Sequence, residues 1–338
     1  MSDALRALLH VLQQSVLAPP AAPSVFIRAE ADPALRELLP SLGCEQTFKP
    51  EYDRIAALGF EVSRRAQGPC GTALCLLTKN RLENLANIAR AWSMLDPGGL
   101  LICSGAKDSG AASIEKQART AFGEVETLSK HHCRVFWTRR QPGPMPAQAA
   151  DWLAAGELHL VAETGYLSRP GIYGWNGIDE GSQLLAAHLP PGIKGRVADL
   201  GAGWGFLSLS LLERCPNIAS LDLYEAEWLA LDAARANVSA RRPGAPVDYH
   251  WHDARRDLPA QRYDTIVMNP PFHSGKATDI ALGRAFIAAA AAALAPGGTL
   301  LMVANRHLPY EAAIDAHLKA RQVIAETAAF KVIRATAR

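Results

Sequence analysis

The sequence predicts an α/β protein made of two tandem, doubly wound, mostly parallel sheets with helices on both faces. Three observations carry that expectation. The second half alternates short β-like runs with helix-length amphipathic runs, the pattern of parallel strands joined by crossover helices. The stretch Arg139-Arg140-Gln141-Pro142-Gly143-Pro144-Met145-Pro146 stops both helix and strand. It divides the 338 residues into two parts, each large enough for its own core. Third, Leu95-Asp96-Pro97-Gly98-Gly99-Leu100-Leu101-Ile102-Cys103 parallels Leu294-Ala295-Pro296-Gly297-Gly298-Thr299-Leu300-Leu301-Met302-Val303 at a matching place in each half, as a duplicated domain would. The expected division is a first domain over 1–141, a linker over 142–150 and a second domain over 151–338.

In the second domain, Arg196 to Leu200 reads as a strand and Phe206 to Arg214 as a helix. Ser220 to Tyr224 follows as a strand and Glu227 to Asn237 as a helix, and the apolar and aromatic run Val247 to Trp251 is the next strand. Asp264 to Met268 is a strand before the helix Asp279 to Leu294, and Thr299 to Val303 a strand before the helix Tyr310 to Ala320.

Composition limits the function only loosely. Lys plus Arg is 35 against 33 Asp plus Glu, so the bulk charge neither demands nor excludes a nucleic-acid partner. None of the six cysteines forms a C-x-x-C pair or a tight Cys/His cluster, so they are expected to be reduced core residues, as in the cytosol. No metal ligand set is visible. The N-terminus lacks a basic start followed by a long apolar stretch, and Ala285 to Leu294 is too short to span a bilayer.

Val197-Ala198-Asp199-Leu200-Gly201-Ala202-Gly203-Trp204-Gly205 ends a strand and opens a helix. Glycines there let a bulky ligand approach the backbone, and Gly205 lets the helix begin close to the sheet. Asp199 places a carboxylate where it can orient the loop or meet an ammonium group. Glu225, twenty residues after Gly205, ends the next strand where an acid reaches ribose hydroxyls; Asp222 is the alternative. Asp253 follows the third strand, placed to accept from an adenine amino group or to cap a helix. A nicotinamide dinucleotide is the rival ligand, but its fingerprint is G-x-G-x-x-G. The G-x-G-x-G spacing after Asp199 points to S-adenosylmethionine.

Ile266-Val267-Met268-Asn269-Pro270-Pro271-Phe272-His273 runs from a buried strand into an extended exit that the prolines enforce. The Asn269 amide and the Pro270 carbonyl then face a cleft, placed to accept both hydrogens of a flat exocyclic amine. Phe272 offers a ring for stacking the base that bears it. Methyl transfer to such a nitrogen needs mainly orientation, and His273 is read as structural, with assistance to the reaction or a touch on phosphate as the alternatives.

These residues resemble the small-subunit ribosomal RNA guanine-N2 methyltransferase C family (RsmC-like) and its large-subunit sister (RlmG-like). The supporting segments are Pro170-Gly171-Ile172-Tyr173, Gly177-Ile178-Asp179-Glu180-Gly181-Ser182-Gln183-Leu184-Leu185, Asp199 to Gly205, Asn269 to His273, Val303-Ala304-Asn305-Arg306-His307-Leu308-Pro309-Tyr310 and Phe330-Lys331-Val332-Ile333. The resemblance implies two class I, Rossmann-like methyltransferase folds. The first is degenerate, and the second has a seven-stranded sheet that binds S-adenosylmethionine. It also implies a guanine N2 in ribosomal RNA, or in an assembled ribosomal subunit, as acceptor. Implied cofactor residues are Asp199, Gly201, Ala202, Gly203, Gly205, Glu225, Ala226, Asp253 and Asn269; implied catalytic residues are Asn269, Pro270, Pro271 and Phe272. His273, Lys276, Arg306, Arg255 and Arg256 are candidates for touching RNA, with Arg284, Arg64 and Arg65 behind them. Trp204 and Glu225 depart from the expected pattern.

A cytoplasmic enzyme, sufficient as a single chain and without a metal or membrane partner, is the resulting expectation. Rival readings are methylation of a protein glutamine or a DNA adenine, and a ribosome-binding protein that has lost catalysis.

Overall fold

In the computed structural model the described residues are 1–338 without 15–16, 18–19, 242–243, 257, 259–261 and 271–276; the side chains of 277–279 are also left aside. The chain forms two compact units. One holds Met1–Leu158 and Arg169–Gly171, the other His159–Ser168 and Ile172–Arg338.

The first unit carries β1 (Ser24–Ile27), β2 (Leu42–Glu45), β3 (Glu61–Ser63), β4 (Cys70–Leu76), β5 (Leu95–Ala106), β6 (Glu126–Lys130) and β7 (Cys133–Arg139). Its helices are α1 (Asp3–Gln13), α2 (Ala34–Leu38), α3 (Lys49–Ala57), α4 (Arg81–Met94), α5 (Ala111–Phe122) and α6 (Ala147–Ala155). The second unit opens with the ribbon β8 (His159–Val161) and β9 (Tyr166–Ser168), then α7 (Glu180–Ala187). After these come β10 (Lys194–Leu200), α8 (Phe206–Arg214), β11 (Asn217–Glu225), α9 (Trp228–Ala240), β12 (Val247–Trp251) and β13 (Tyr263–Met268). The chain ends with α10 (Ala277–Ala293), β14 (Leu294–Asn305), α11 (Glu311–His317), β15 (Leu318–Glu326) and β16 (Phe330–Ala337).

The two main sheets share one topology. Among the described residues each has seven strands, ordered β3-β2-β1-β4-β5-β7-β6 and β12-β11-β10-β13-β14-β16-β15. In each, the seventh strand in chain order is antiparallel to its neighbours. The Pro-Gly-Gly repeat opens the fifth strand of each sheet, with Gly98 at φ +82° and Gly297 at φ +76°. The register is duplicated as well: Cys70 pairs with Leu95 before a shift to Thr72 and Leu100, as Tyr263 pairs with Leu294 before a shift to Thr265 and Thr299.

That register gives a position-by-position map. Phe26 stands where the second unit has Asp199, Arg28 where it has Gly201, Gln46 where it has Glu225, and Leu76 where it has Asn269. Arg28 even keeps a left-handed backbone, φ +55° against +77° at Gly201. Its guanidinium donates to Glu83 Oε1 (2.6 Å) and Thr47 Oγ1 (2.8 Å). The first unit thus keeps a left-handed turn at Arg28, whose side chain enters an internal ion pair, and has no acid at the places of Asp199 and Glu225.

Two expectations need correction. The chain from 151 to 158 belongs to the first unit. Ala149 and Trp152 of α6 are buried in that unit's core, with the Trp152 ring edge-on to Phe122 at 6.0 Å. The proline-rich run therefore precedes the last helix of the first unit. The helix expected over Tyr310 to Ala320 stops at His317, because Leu318 begins the edge strand β15. All six cysteines are buried and free.

Candidate functional site

The second unit gathers its polar groups at the carboxyl ends of β10, β11 and β13, where open α/β sheets bind ligands. Parallel pairing aligns Asp199 with Val267 and Leu200 with both Tyr224 and Met268. The loop after β10, the acid after β11 and the asparagine after β13 therefore meet by register.

The loop is held from beneath. Gly201 N and Ala202 N donate to Tyr224 O (2.8 and 3.1 Å), and Gly203 N donates to Glu225 Oε2 (2.8 Å). Gly201, Gly203 and Gly205 all have positive φ, and a Cβ on Gly203 would meet nothing within 4 Å, so its face is open. Gly205 is different. Its φ is +95° and a Cβ would lie 3.2 Å from Ala234 Cα on α9. The close approach is to that helix, not to the sheet as expected. Gly205→Ala should therefore cost about 1–2 kcal/mol for the backbone alone, and more for the contact; a denaturant melt within 0.5 kcal/mol (roughly, the scatter for neutral substitutions) of the parent would refute this.

Asp199 is fully buried. Oδ2 accepts from Ser208 Oγ (2.7 Å), and Oδ1 has no hydrogen-bond partner. Burial pushes its carboxyl up to about 7, against the Ser208 hydrogen bond, which lowers it, and with the nearby Glu225 raising it. A buried carboxylate oxygen facing no donor is costly unless a ligand supplies one.

Glu225 ends β11. Its carboxylate also accepts from Glu227 N (2.8 Å), and burial pushes it above the ordinary carboxylate range. Two backbone donors leave further lone pairs on it. Asp222, the alternative, accepts from or pairs with His250 Nε2 at 2.7 Å inside the sheet and is buried, so the strand-end acid is Glu225. Ala226 is fixed through its carbonyl by Trp251 Nε1 (2.8 Å).

Asp253 is buried after β12 and takes Arg255 side-on, Nε to Oδ1 and Nη2 to Oδ2, both 2.7 Å. Burial alone would raise this carboxyl, but the guanidinium overcomes it and holds it below its usual value. Arg255, expected as an RNA contact, is therefore committed to Asp253. Arg256 Nε lies 3.8 Å from the same carboxylate. Arg306 pairs with Glu326 Oε1 (2.7 Å), both about half exposed, an interaction weak enough to exchange for phosphate. Arg284 is exposed, and in the first unit Arg65 pairs with Glu157. Pro271, Phe272, His273 and Lys276 lie outside the described residues.

Asn269, at the tip of β13, donates through Nδ2 to Asp179 Oδ2 (2.8 Å) and Ser182 Oγ (2.7 Å). Asp179 is the N-cap of α7 and takes Ser182 N at 2.8 Å. Asp179 and Ser182 were not singled out from sequence for any role. The available signal was the Asp-Glu-Gly-Ser helix start. A cleft lined by Tyr173, Ile178, Asp179, Ser182, Gly203, Trp204 and Asn269 opens here. Trp204, the bulky departure in the loop, is buried and donates from Nε1 to Gly174 O (3.1 Å). It ties the 173–178 segment to the glycine loop and packs its ring on Tyr166 at 5.0 Å.

Comparison with known proteins finds relatives over most of the chain. The methyltransferase small domain family matches residues 163–334, and the methyltransferase small domain N-terminal family matches 37–155. The ribosomal RNA small subunit methyltransferase C of Escherichia fergusonii is 32% identical over 266 residues, 79% of this chain and 75% of that protein. That of Klebsiella pneumoniae is 32% identical over 265 residues, 78% and 75% of the two chains. The structure of the T. thermophilus 16S rRNA N2 methyltransferase RsmC, in complex with AdoMet and guanosine, superposes with a TM-score of 0.81. It covers 98% of this chain and 92% of that one at 24% identity. With both domains matched and that identity over three quarters of its relatives, the chain belongs to the ribosomal RNA small subunit methyltransferase C family.

Proposed function

We propose that this protein transfers the methyl group of S-adenosylmethionine to the exocyclic N2 of a guanine in 16S ribosomal RNA, acting in the cytoplasm as a single chain. The observation that carries the reading is Asn269. Both its amide hydrogens are engaged by Asp179 and Ser182, so its carbonyl remains as an acceptor beside the glycine loop. The relatives' names supply the RNA class, and the T. thermophilus protein binds guanosine and AdoMet.

The residues fit the cofactor. The unpartnered Asp199 Oδ1 is suited to an ammonium group, Glu225 to a ribose diol, and the open face of Gly203 to a ligand lying on the backbone. When bound, the cofactor supplies an electrophilic methyl on a sulfonium. The chain's own contribution is orientation. Asn269 Oδ1 and the Pro270 carbonyl accept the two N2 hydrogens, which withdraws the nitrogen lone pair from the purine ring and aims it. The nitrogen sheds its proton after attack, so no strong base is required. Phe272 is assigned to stacking the flipped guanine, and Arg306, Arg256 and Lys276 to phosphate.

Asp199 makes binding pH-dependent. Its folded value, about 7 without ligand, lies above the unfolded one of about 4. Ionising it thus penalises the ligand-free fold as pH rises through that window, and a bound ammonium repays the penalty. Affinity for S-adenosylmethionine should fall by up to about tenfold per pH unit below about 7 and level off just above it, until the ligand's own α-amino group loses its proton near about 8. Calorimetry from pH 5.5 to 8.5 (a range spanning roughly 1.5 units either side of that value) checks this, and a flat profile would remove Asp199 from the ammonium site.

The test of function is transfer of labelled methyl to small and large ribosomal subunits from cells lacking the gene, with the labelled nucleoside identified. N2-methylguanosine in the small subunit is expected. Label in the large subunit would keep the chemistry and change the substrate. No label with cofactor bound would discard ribosomal RNA.

A further inference from the structure

We infer that Asp179 and Ser182 form a positioning pair that fixes the Asn269 amide in its working orientation, and so set turnover rather than cofactor affinity. The inference deepens the amine-methylation reading and rests on it.

An asparagine amide is nearly symmetric in shape, and its two ends differ only in what they can bond. Aimed one way, Asn269 presents a carbonyl to an amine; flipped, it would present a second donor and repel the amine hydrogens. What fixes the choice is the neighbouring carboxylate. Asp179 Oδ2 accepts and cannot donate when ionised, so it takes Nδ2 at 2.8 Å and excludes the flipped amide, while Ser182 Oγ takes the second hydrogen at 2.7 Å. Both donors are consumed, which leaves Oδ1 pointing elsewhere.

The pair is itself held rigidly. Asp179 Oδ2 also accepts Ser182 N at 2.8 Å as the cap of α7, and its Oδ1 accepts the Tyr173 hydroxyl at 3.0 Å. Of the two residues between them, Glu180 and Gly181, the second is a glycine for a steric reason: a Cβ on Gly181 would stand 3.0 Å from Asp179 Oδ2 and 3.2 Å from the Phe330 ring. The cap, the pair and the reaction motif thus form one unit assembled across about ninety residues of sequence. A bond to a charged acceptor in a partly buried site is stronger and more directional than one to water.

The test uses the full chain with small subunits as acceptor, measuring kcat, KM for S-adenosylmethionine and thermal melting in parallel. Asp179→Ala should lower kcat by roughly 10- to 100-fold, the scale of a misplaced reacting group, with KM for the cofactor changed less than about threefold. Asp179→Asn is the rescue variant. Its carbonyl can take Oδ2's bonds and its amide can donate to Tyr173, so it should recover turnover to within about threefold of the parent. Ser182→Ala, which removes one of the two acceptors, should fall between them. Undiminished kcat in Asp179→Ala overturns the inference. So does an equal loss in Asp179→Ala and Asp179→Asn, or a loss confined to cofactor KM. If the alanine variant does not fold, Ser182→Ala and Asp179→Asn still decide. Failure of the parent enzyme to make N2-methylguanosine would instead refute the functional reading, and is read in the same assay.

Discussion

Asn269→Ala is expected to lower methyl transfer by roughly 100- to 1000-fold, the usual consequence of deleting one preorganised polar group at a reacting centre. Affinity for S-adenosylmethionine should change only a few-fold, because Asp199, Glu225 and the glycine loop lie on other strands. Asn269→Asp is the sharper comparison. It keeps an acceptor oxygen but loses the hydrogens that Asp179 and Ser182 hold, and it sets two carboxylates side by side, which forces one to take a proton. It should be almost as impaired as alanine, and less so at low pH. Single-turnover transfer to small subunits, with calorimetry on the same samples, checks both. A loss below tenfold in Asn269→Ala, or a matching loss of cofactor affinity, would remove Asn269 from the reacting centre.

The parts of this site that sequence made legible are those bound by local rules. A glycine loop must follow a strand and precede a helix, and Phe206 to Arg214 forms as expected. An acid twenty residues on must end the next strand, and Glu225 does. The Val247 to Trp251 strand likewise has the expected bounds. What the sequence hid is tertiary. Nothing local in Asp179 reveals that it faces Asn269 rather than solvent. Trp204 looked like a departure because its partner carbonyl, Gly174, is thirty residues away. Arg255 is the exception, a local miss: the carboxylate that takes it, Asp253, is only two residues away. The proline-rich run looked like a domain border, yet the Trp152 face of α6 finds its apolar surface in the first unit.

The second large effect is expected in that first unit. Arg28→Ala should destabilise it by about 3–5 kcal/mol, because it strands Glu83, only about 7% exposed, without its cation. Thr78 Oγ1 donates to Glu83 Oε2 at 2.8 Å but brings no charge. Arg28→Lys should recover little, since the guanidinium bonds Glu83 and Thr47 with separate nitrogens and an ammonium cannot reproduce that fork. Arg28→Gly should be milder than alanine by about 1 kcal/mol, because the backbone at φ +55° is left-handed. Glu83→Ala added to Arg28→Ala should cost much less than the sum of the two, as for any pair whose loss is mostly an uncompensated charge. Denaturant titration followed by hydrogen exchange of β1 and β4 amides isolates the first unit from the second. A cost below about 1 kcal/mol for Arg28→Ala, small against the range for a buried pair, would show that the position is an ordinary surface turn. A large, non-additive cost would mean that the first unit depends on this ion pair for its fold. The turn at Arg28, in the place of Gly201, then could not be emptied to admit a ligand without unfolding the strands around it.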